Sequence, residues 1–128
     1  MEAGFAAEQR ELSNVVIVDL RGEIDLSMAD RLRAVLALAG QVGRPIIVNL
    51  RKVSFADSTC LSALIELSNS LAESGGLVVV AEPGRQVQKV FEITHLAETF
   101  GLSESDQAAE ASFDLTHVSR GNAAVPGR

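Results

Sequence analysis

Three short aliphatic runs, each followed by a segment with helical spacing, restrict what this chain can fold into more than any other feature. The runs are Val15-Val16-Ile17-Val18-Asp19-Leu20, Ile46-Ile47-Val48-Asn49-Leu50 and Leu77-Val78-Val79-Val80-Ala81. The first is a β-branched run typical of a strand, and the second and third are nearly continuous in apolar character, the pattern of a strand covered on both faces. After them, apolar residues return at three- and four-residue intervals: Ala29, Leu32, Leu36 and Ala39, then Leu61, Leu64, Ile65 and Leu71, then Val87, Val90, Phe91 and Ile93. A parallel strand pair needs a long crossover, and a helix supplies it, so this alternation implies an α/β domain. The expected architecture is a mixed, mostly parallel central sheet of about four or five strands with about four helices.

Local signals give the boundaries. Arg21-Gly22 stops the first run, and residues 5–12 before it are read as an edge strand. Ser27 with Asp30 three residues on resembles a capping box opening a helix that runs to about Val42, where Gly40 and Gly43 mark the exit. Pro45 introduces the second run, and Arg51 to Asp57 reads as a loop. A second helix starts near Ser58 or Thr59 and continues to about Glu73. Glu82-Pro83-Gly84 is a turn, and a third helix covers about 85–94. Thr99-Phe100 is read as a short edge strand, and Ser103 with Asp106 as the capped start of a last helix to about Ala111. Residues 1–111 are expected to form one domain. The segment 112–128 has no sustained period and reads as a loosely attached tail.

Composition removes several function classes. The 128 residues carry a net charge of −6, and their 11 Lys and Arg are scattered. Nucleic-acid binding and anionic membrane surfaces both call for clustered cations, so neither is expected as a partner. Five Phe with no Trp or Tyr leave little for stacking on bases. Cys60 is the single cysteine, which excludes an intrachain disulfide and fits a reducing compartment. The N-terminus lacks the pattern of a signal peptide, and no apolar run approaches the roughly 20 residues of a spanning helix. A soluble, cytoplasmic protein is expected.

Crossovers of one hand place loops at the carboxyl ends of the strands, the usual functional rim of an open α/β sheet. Two such loops hold the most informative residues: Gly22 to Ser27, and Ser54 to Cys60. In the second, Ser58 stands where a helix begins, flanked by Asp57 and Thr59. A serine there commonly caps the helix through its hydroxyl. It can equally present that hydroxyl to a partner's active site, and the two roles are compatible. Asp25 has the same two readings, a cap or a carboxylate that pairs with a partner's cation. Ser62, four residues after Ser58, shares its helical face.

Asp57-Ser58-Thr59-Cys60-Leu61, after a buried strand and opening a helix, resembles the signature of STAS-domain anti-anti-sigma factors. Gly22-Glu23-Ile24-Asp25 upstream and Val90-Phe91-Glu92-Ile93-Thr94-His95-Leu96 downstream resemble the family's other recurrent segments. The resemblance spans about Val15 to Ala111. It implies an anti-sigma factor antagonist whose unmodified form binds an anti-sigma factor serine kinase and frees the sigma factor. The kinase would phosphorylate Ser58, with Thr59 the neighbouring hydroxyl, and a phosphoserine phosphatase would reverse it. Asp25, Asp57, Ser58, Thr59 and Ser62 would form the partner surface. A homo-oligomer is compatible with this role but not implied. The family usually has glycine where this chain has Cys60, so a need for glycine's freedom or small size would alter kinase docking.

Other chemistries have less support. Cys60 has no base tied to it by motif, since His95 ends the third helix and His117 lies in the tail; it reads as a small packed residue and not a nucleophile. Two distant histidines have no metal-ligand spacing. No phosphate-cradling glycine motif is present, and no cofactor is expected. The chain reads as a non-enzyme. Two alternatives remain beside the phospho-switch: a STAS scaffold or transport-complex subunit, and a small-molecule-binding α/β domain.

Overall fold

The computed structural model describes residues 5–72 and 76–111. In chain order they form β1 (Ala6–Glu11), β2 (Val16–Ile24), a 3-10 turn (Leu26–Met28), α1 (Ala29–Gly40), β3 (Ile46–Ala56), α2 (Ser58–Ala72), β4 (Val78–Ala81), α3 (Arg85–Ile93) and α4 (Ala97–Phe100). Residues 106–111 are also helical. The expected tail at 112–128, and Glu73 at the expected end of the second helix, lie outside the described residues.

The strands lie in the order β1-β2-β3-β4. The edge strand expected at 5–12 forms as β1 and runs antiparallel to β2, with Ala6 opposite Arg21 and Glu11 opposite Val16. β2 to β3 and β3 to β4 are parallel, so the sheet is mixed and mostly parallel as the alternation implied. All four named helices contribute to one face. Leu32, Leu36, Leu61, Leu64, Val87, Phe91 and Phe100 close over Val16, Val18, Leu20, Ile46, Val48 and Val80 in one core. On the other face, Ala109 covers a smaller apolar group of Val15, Ile17, Ile47 and Ala81.

β2 and β3 both outrun the sequence reading. β2 continues through Gly22, whose φ of 96° is open to glycine without strain, to the buried Ile24. Its core-facing positions keep a strict period of two: Val16, Val18, Leu20, then Ile24. β3 does not. Its core residues are Ile46, Val48, Leu50, Val53 and Ala56, so two neighbours point outward between the later ones, first Arg51-Lys52 and then Ser54-Phe55. The β2–β3 register slips at the same places, between Asp19/Arg21 and Gly22/Glu23. Each slip is a β-bulge, an extra residue on one strand of the pair. Read as a period of two, the segment after Leu50 looks like a loop; bulged, it is the rest of a strand.

Other expectations change for similar reasons. Thr99-Phe100 belongs to α4 and not to a strand, because Phe100 is buried edge-on against Phe91, centroids 5.9 Å apart. Ser27 lies inside the 3-10 turn, so the expected Ser27–Asp30 box does not form and Asp25 caps instead. Ser105 and not Ser103 caps the last helical segment, its Oγ accepting from the Ala108 N–H at 3.0 Å. Ile65 and Ile93, read as core, are exposed.

Candidate functional site

The rim at the carboxyl ends of β2 and β3 is built from two caps. Where β2 ends, the Asp25 side chain accepts from the Ser27 N–H at 3.0 Å and from the Ser27 hydroxyl at 2.6 Å. The Met28 N–H bonds the Asp25 carbonyl at 2.9 Å, closing the 3-10 turn. Where β3 ends, Asp57 Oδ1 accepts from the Thr59 N–H at 2.8 Å and the Asp57 carbonyl from the Cys60 N–H at 3.1 Å. Asp57 therefore caps α2. The capping role expected of Ser58 falls one residue earlier, and Ser58 becomes the first helical residue, exposed to solvent. The Asp57 N–H donates to the Ile24 carbonyl at 3.2 Å, which ties the two loops together.

Of the residues singled out in the sequence, this brings Asp25, Asp57 and Ser58 to one edge. Ser62 is exposed one turn further along α2. Thr59 turns inward and is 9% exposed, so its side chain lies beneath the rim and not on it. Two rim residues escaped the sequence reading. Leu26, 77% exposed, stands three residues before Ala29 and so matches the buried helical repeat, but the 3-10 turn rotates it outward. Phe55, 42% exposed, is turned out by the second bulge of β3. An apolar residue between Ser54 and Ala56, two positions before a capping Asp, was the available signal.

A model of the STAS domain matches residues 6–109, most of the chain. The chain belongs to the STAS family. BtrV of Bordetella bronchiseptica is 27% identical over 104 residues, covering 80% of this chain and 90% of that one. The anti-sigma-B factor antagonist of Bacillus subtilis is 26% identical over 98 residues, covering 77% and 90%. Among solved structures, an anti-sigma factor antagonist from Mycobacterium paratuberculosis superposes with a TM-score of 0.77 at 24% identity, covering 87% of this chain and 96% of that one. At that identity the superposition establishes the fold. Among the described residues of this STAS domain, no helix is long and apolar enough to cross a membrane.

Cys60 lies two residues past the start of α2 and is fully buried among the core residues. Burial pushes its thiol up to about 12, with the Asp57 charge adding to the shift. A thiol held protonated is a poor nucleophile, which agrees with the packing role read from the sequence. Positive φ among non-glycine residues is confined, in the described chain, to Glu82 and His95. Position 60 is thus ordinary helix and does not need glycine's backbone freedom.

Past the end of β4, side chains bond the backbone of β3. β4 pairs with β3 only from Ile46 to Asn49. Beyond it, Asn49 Oδ1 accepts from the Arg51 N–H at 2.8 Å. The Asn49 Nδ2 donates to Glu82 Oε2 at 2.9 Å and to Asp106 Oδ1 at 2.8 Å. Arg10 joins this network, bonding Asp19 at 2.6 and 3.0 Å and Asp106 at 3.0 Å, and its guanidinium is held above its ordinary value chiefly by the Asp19 bond. Farther up the strand, the Gln86 side chain bonds both backbone groups of Ala56. The sequence offered no signal for Gln86.

Proposed function

We propose that this STAS domain is an anti-sigma factor antagonist, a protein switch and not a catalyst. In the unphosphorylated state it binds an anti-sigma factor kinase and releases the sigma factor; phosphorylation of Ser58 turns the binding off, and a phosphoserine phosphatase restores it. The observation that carries this reading is the exposed Ser58 hydroxyl at the mouth of α2, relieved of the capping task by Asp57. The name of the Bacillus subtilis relative supports it. Asp25, Asp57 and Ser62 would surround the contact, with Thr59 beneath; the inward turn of Thr59 favours Ser58 as the acceptor. The working unit would be residues 1–111, acting in the cytoplasm.

The switch is electrostatic. A phosphate brings about −1.5 to −2 charges at pH 7. The free amides of a helix start favour an anion by roughly 0.3–1 kcal/mol. Here the Asp57 carboxylate already occupies that position, so the added charge meets a like charge and must also be desolvated in any interface. About 2.8 kcal/mol lost on binding would weaken the complex roughly a hundredfold.

The test is mass spectrometry of the chain incubated with ATP and each anti-sigma factor kinase of its own genome, together with binding of the parent, Ser58→Ala and Ser58→Asp forms. Label on Ser58 and loss of binding in Ser58→Asp are expected. No label with any kinase, and equal binding by all three forms, would refute the reading.

A further inference from the structure

We propose that Gln86 is a positioning residue for the Ser58 corner, its side-chain amide standing in for a strand that the sheet does not supply. The assignment rests on the reading of Ser58 as a phosphate acceptor. β4 ends opposite Asn49, whereas β3 runs on to Ala56. A strand residue turns its N–H and its C=O together toward one neighbour, and past the end of β4 that neighbour is missing. At Ala56 both groups meet Gln86. The Ala56 N–H donates to Gln86 Oε1 at 3.1 Å, and Gln86 Nε2 donates to the Ala56 carbonyl at 3.1 Å. On the opposite side, the next N–H along, that of Asp57, donates to the Ile24 carbonyl at 3.2 Å. The peptide from which Asp57 and Ser58 spring is therefore gripped by β2 on one side and by the first turn of α3 on the other.

The grip matters because Ala56 is 2% exposed, so water replaces a lost partner there poorly. Gln86 is exposed, but its stretch of backbone is held in place, since its neighbour Val87 and the next turn's Phe91 are buried in the core. Without the amide, the corner is free to rotate about the Ile24 bond. The Asp57 cap and the direction of the Ser58 hydroxyl then lose their fixed reference. The same contact makes α3 a lever: anything that shifts its first turn shifts the acceptor.

Two variants of the full chain test this. Gln86→Met keeps the length and removes both bonds. Gln86→Glu keeps an acceptor, but as a carboxylate it faces the Ala56 carbonyl with no donor. Amide hydrogen exchange at Asp57, Thr59 and Cys60 is compared with that at Val48 in the core. In Gln86→Met the corner amides should exchange about tenfold or more faster while Val48 does not, the equivalent of about one lost bond. Gln86→Glu should behave likewise at neutral pH. It should regain protection as pH falls through the ordinary carboxyl range near 4.3, because the neutral acid again offers one donor and one acceptor. Gln86→Met, which keeps Asp57 at that corner but has no carboxyl group at position 86, is the control and should show no such rescue.

The functional readout is Ser58 phosphorylation by the kinase that labels the parent chain. A misdirected hydroxyl costs orientation, so kcat should fall more than KM rises. Unchanged exchange at the corner, or a rise matched at Val48, overturns the proposal. So does faster exchange with kcat intact, or a change confined to KM, which would mark Gln86 as a plain contact. If no kinase labels the parent, the acceptor reading fails and the presentation role fails with it; the exchange and its pH rescue still decide whether Gln86 holds the corner.

Discussion

The Thr59 amide bonds the Asp57 carboxylate at 2.8 Å, so the residue before the candidate acceptor, and not the acceptor, secures the start of α2. Removing that cap by Asp57→Ala should cost about 1 kcal/mol, whereas Asp57→Asn should retain most of the stability. Ser58→Ala, at an exposed first-turn position, should stay within about 0.5 kcal/mol of the parent. Urea midpoints at constant m-value measure all three. A loss in Ser58→Ala as large as that in Asp57→Ala would return the capping role to the serine.

Burial raises the Cys60 thiol from 9.0 to about 12, with a linked effect on stability. Between those two values the unfolded chain has released a proton that the native chain still holds, so stability falls as pH rises through this window and is unaffected below it. The chain has no Tyr to obscure the effect. Unfolding titrations from about pH 8 to 11 should show this decline, and Cys60→Ala should flatten it. Iodoacetamide at about pH 8 should label the native protein far more slowly than the urea-unfolded one. Rapid labelling of the native chain would contradict the burial.

His95 closes α3 with φ of 62°. The Leu96 N–H reaches the Phe91 carbonyl at 2.9 Å and the His95 N–H the Glu92 carbonyl at 3.1 Å, the paired bonds of a Schellman ending that favours glycine. His95→Gly should therefore stabilise the fold by about 0.5–1 kcal/mol, after glycine's greater freedom in the unfolded chain is set against the relieved strain. His95→Ala should give no such gain. Thermal midpoints of the two variants provide the comparison.

Asn49 is 3% exposed and makes three hydrogen bonds, one of them to the Arg51 backbone. Asn49→Leu would leave that amide without its partner and take one bond from each of two carboxylates, and a loss of about 2–4 kcal/mol is expected. Asp106→Ala removes one bond from Asn49 and one from the half-exposed Arg10, and should cost about 1 kcal/mol. Equal effects of the two substitutions in guanidinium unfolding would show that the network depends on Asp106 and not on the buried amide.

The parallel core of the sheet was legible because Val16 to Leu20 and Ile46 to Leu50 are largely buried on both faces, and such strands announce themselves as continuous apolar runs. β1 was visible only as an edge, since its residues are mostly exposed. The far half of β3 was not legible: paired outward residues at Arg51-Lys52 and Ser54-Phe55 break the period on which strand reading rests. At the rim, Asp25, Asp57, Ser58 and Ser62 could be picked out by residue type next to a helix start. The inward turn of Thr59 and the outward turn of Leu26 could not, because a one-residue difference in where a helix or turn begins rotates a side chain by about 100°. Gln86 was invisible for another reason. Its partner is backbone, and backbone leaves no trace in residue identity.

From Val18 to Ile24 the second strand takes six steps, while its neighbour takes eight from Val48 to Ala56 to reach the same level. The two surplus residues work as a shim. Deleting one from either outward pair would leave every aliphatic side chain on its present side of the sheet, yet draw the serine back by about 3.3 Å against the Asp25 turn. Each outward pair thus sets the level of Ser58, and of the helix behind it, against the Asp25 turn by one strand step.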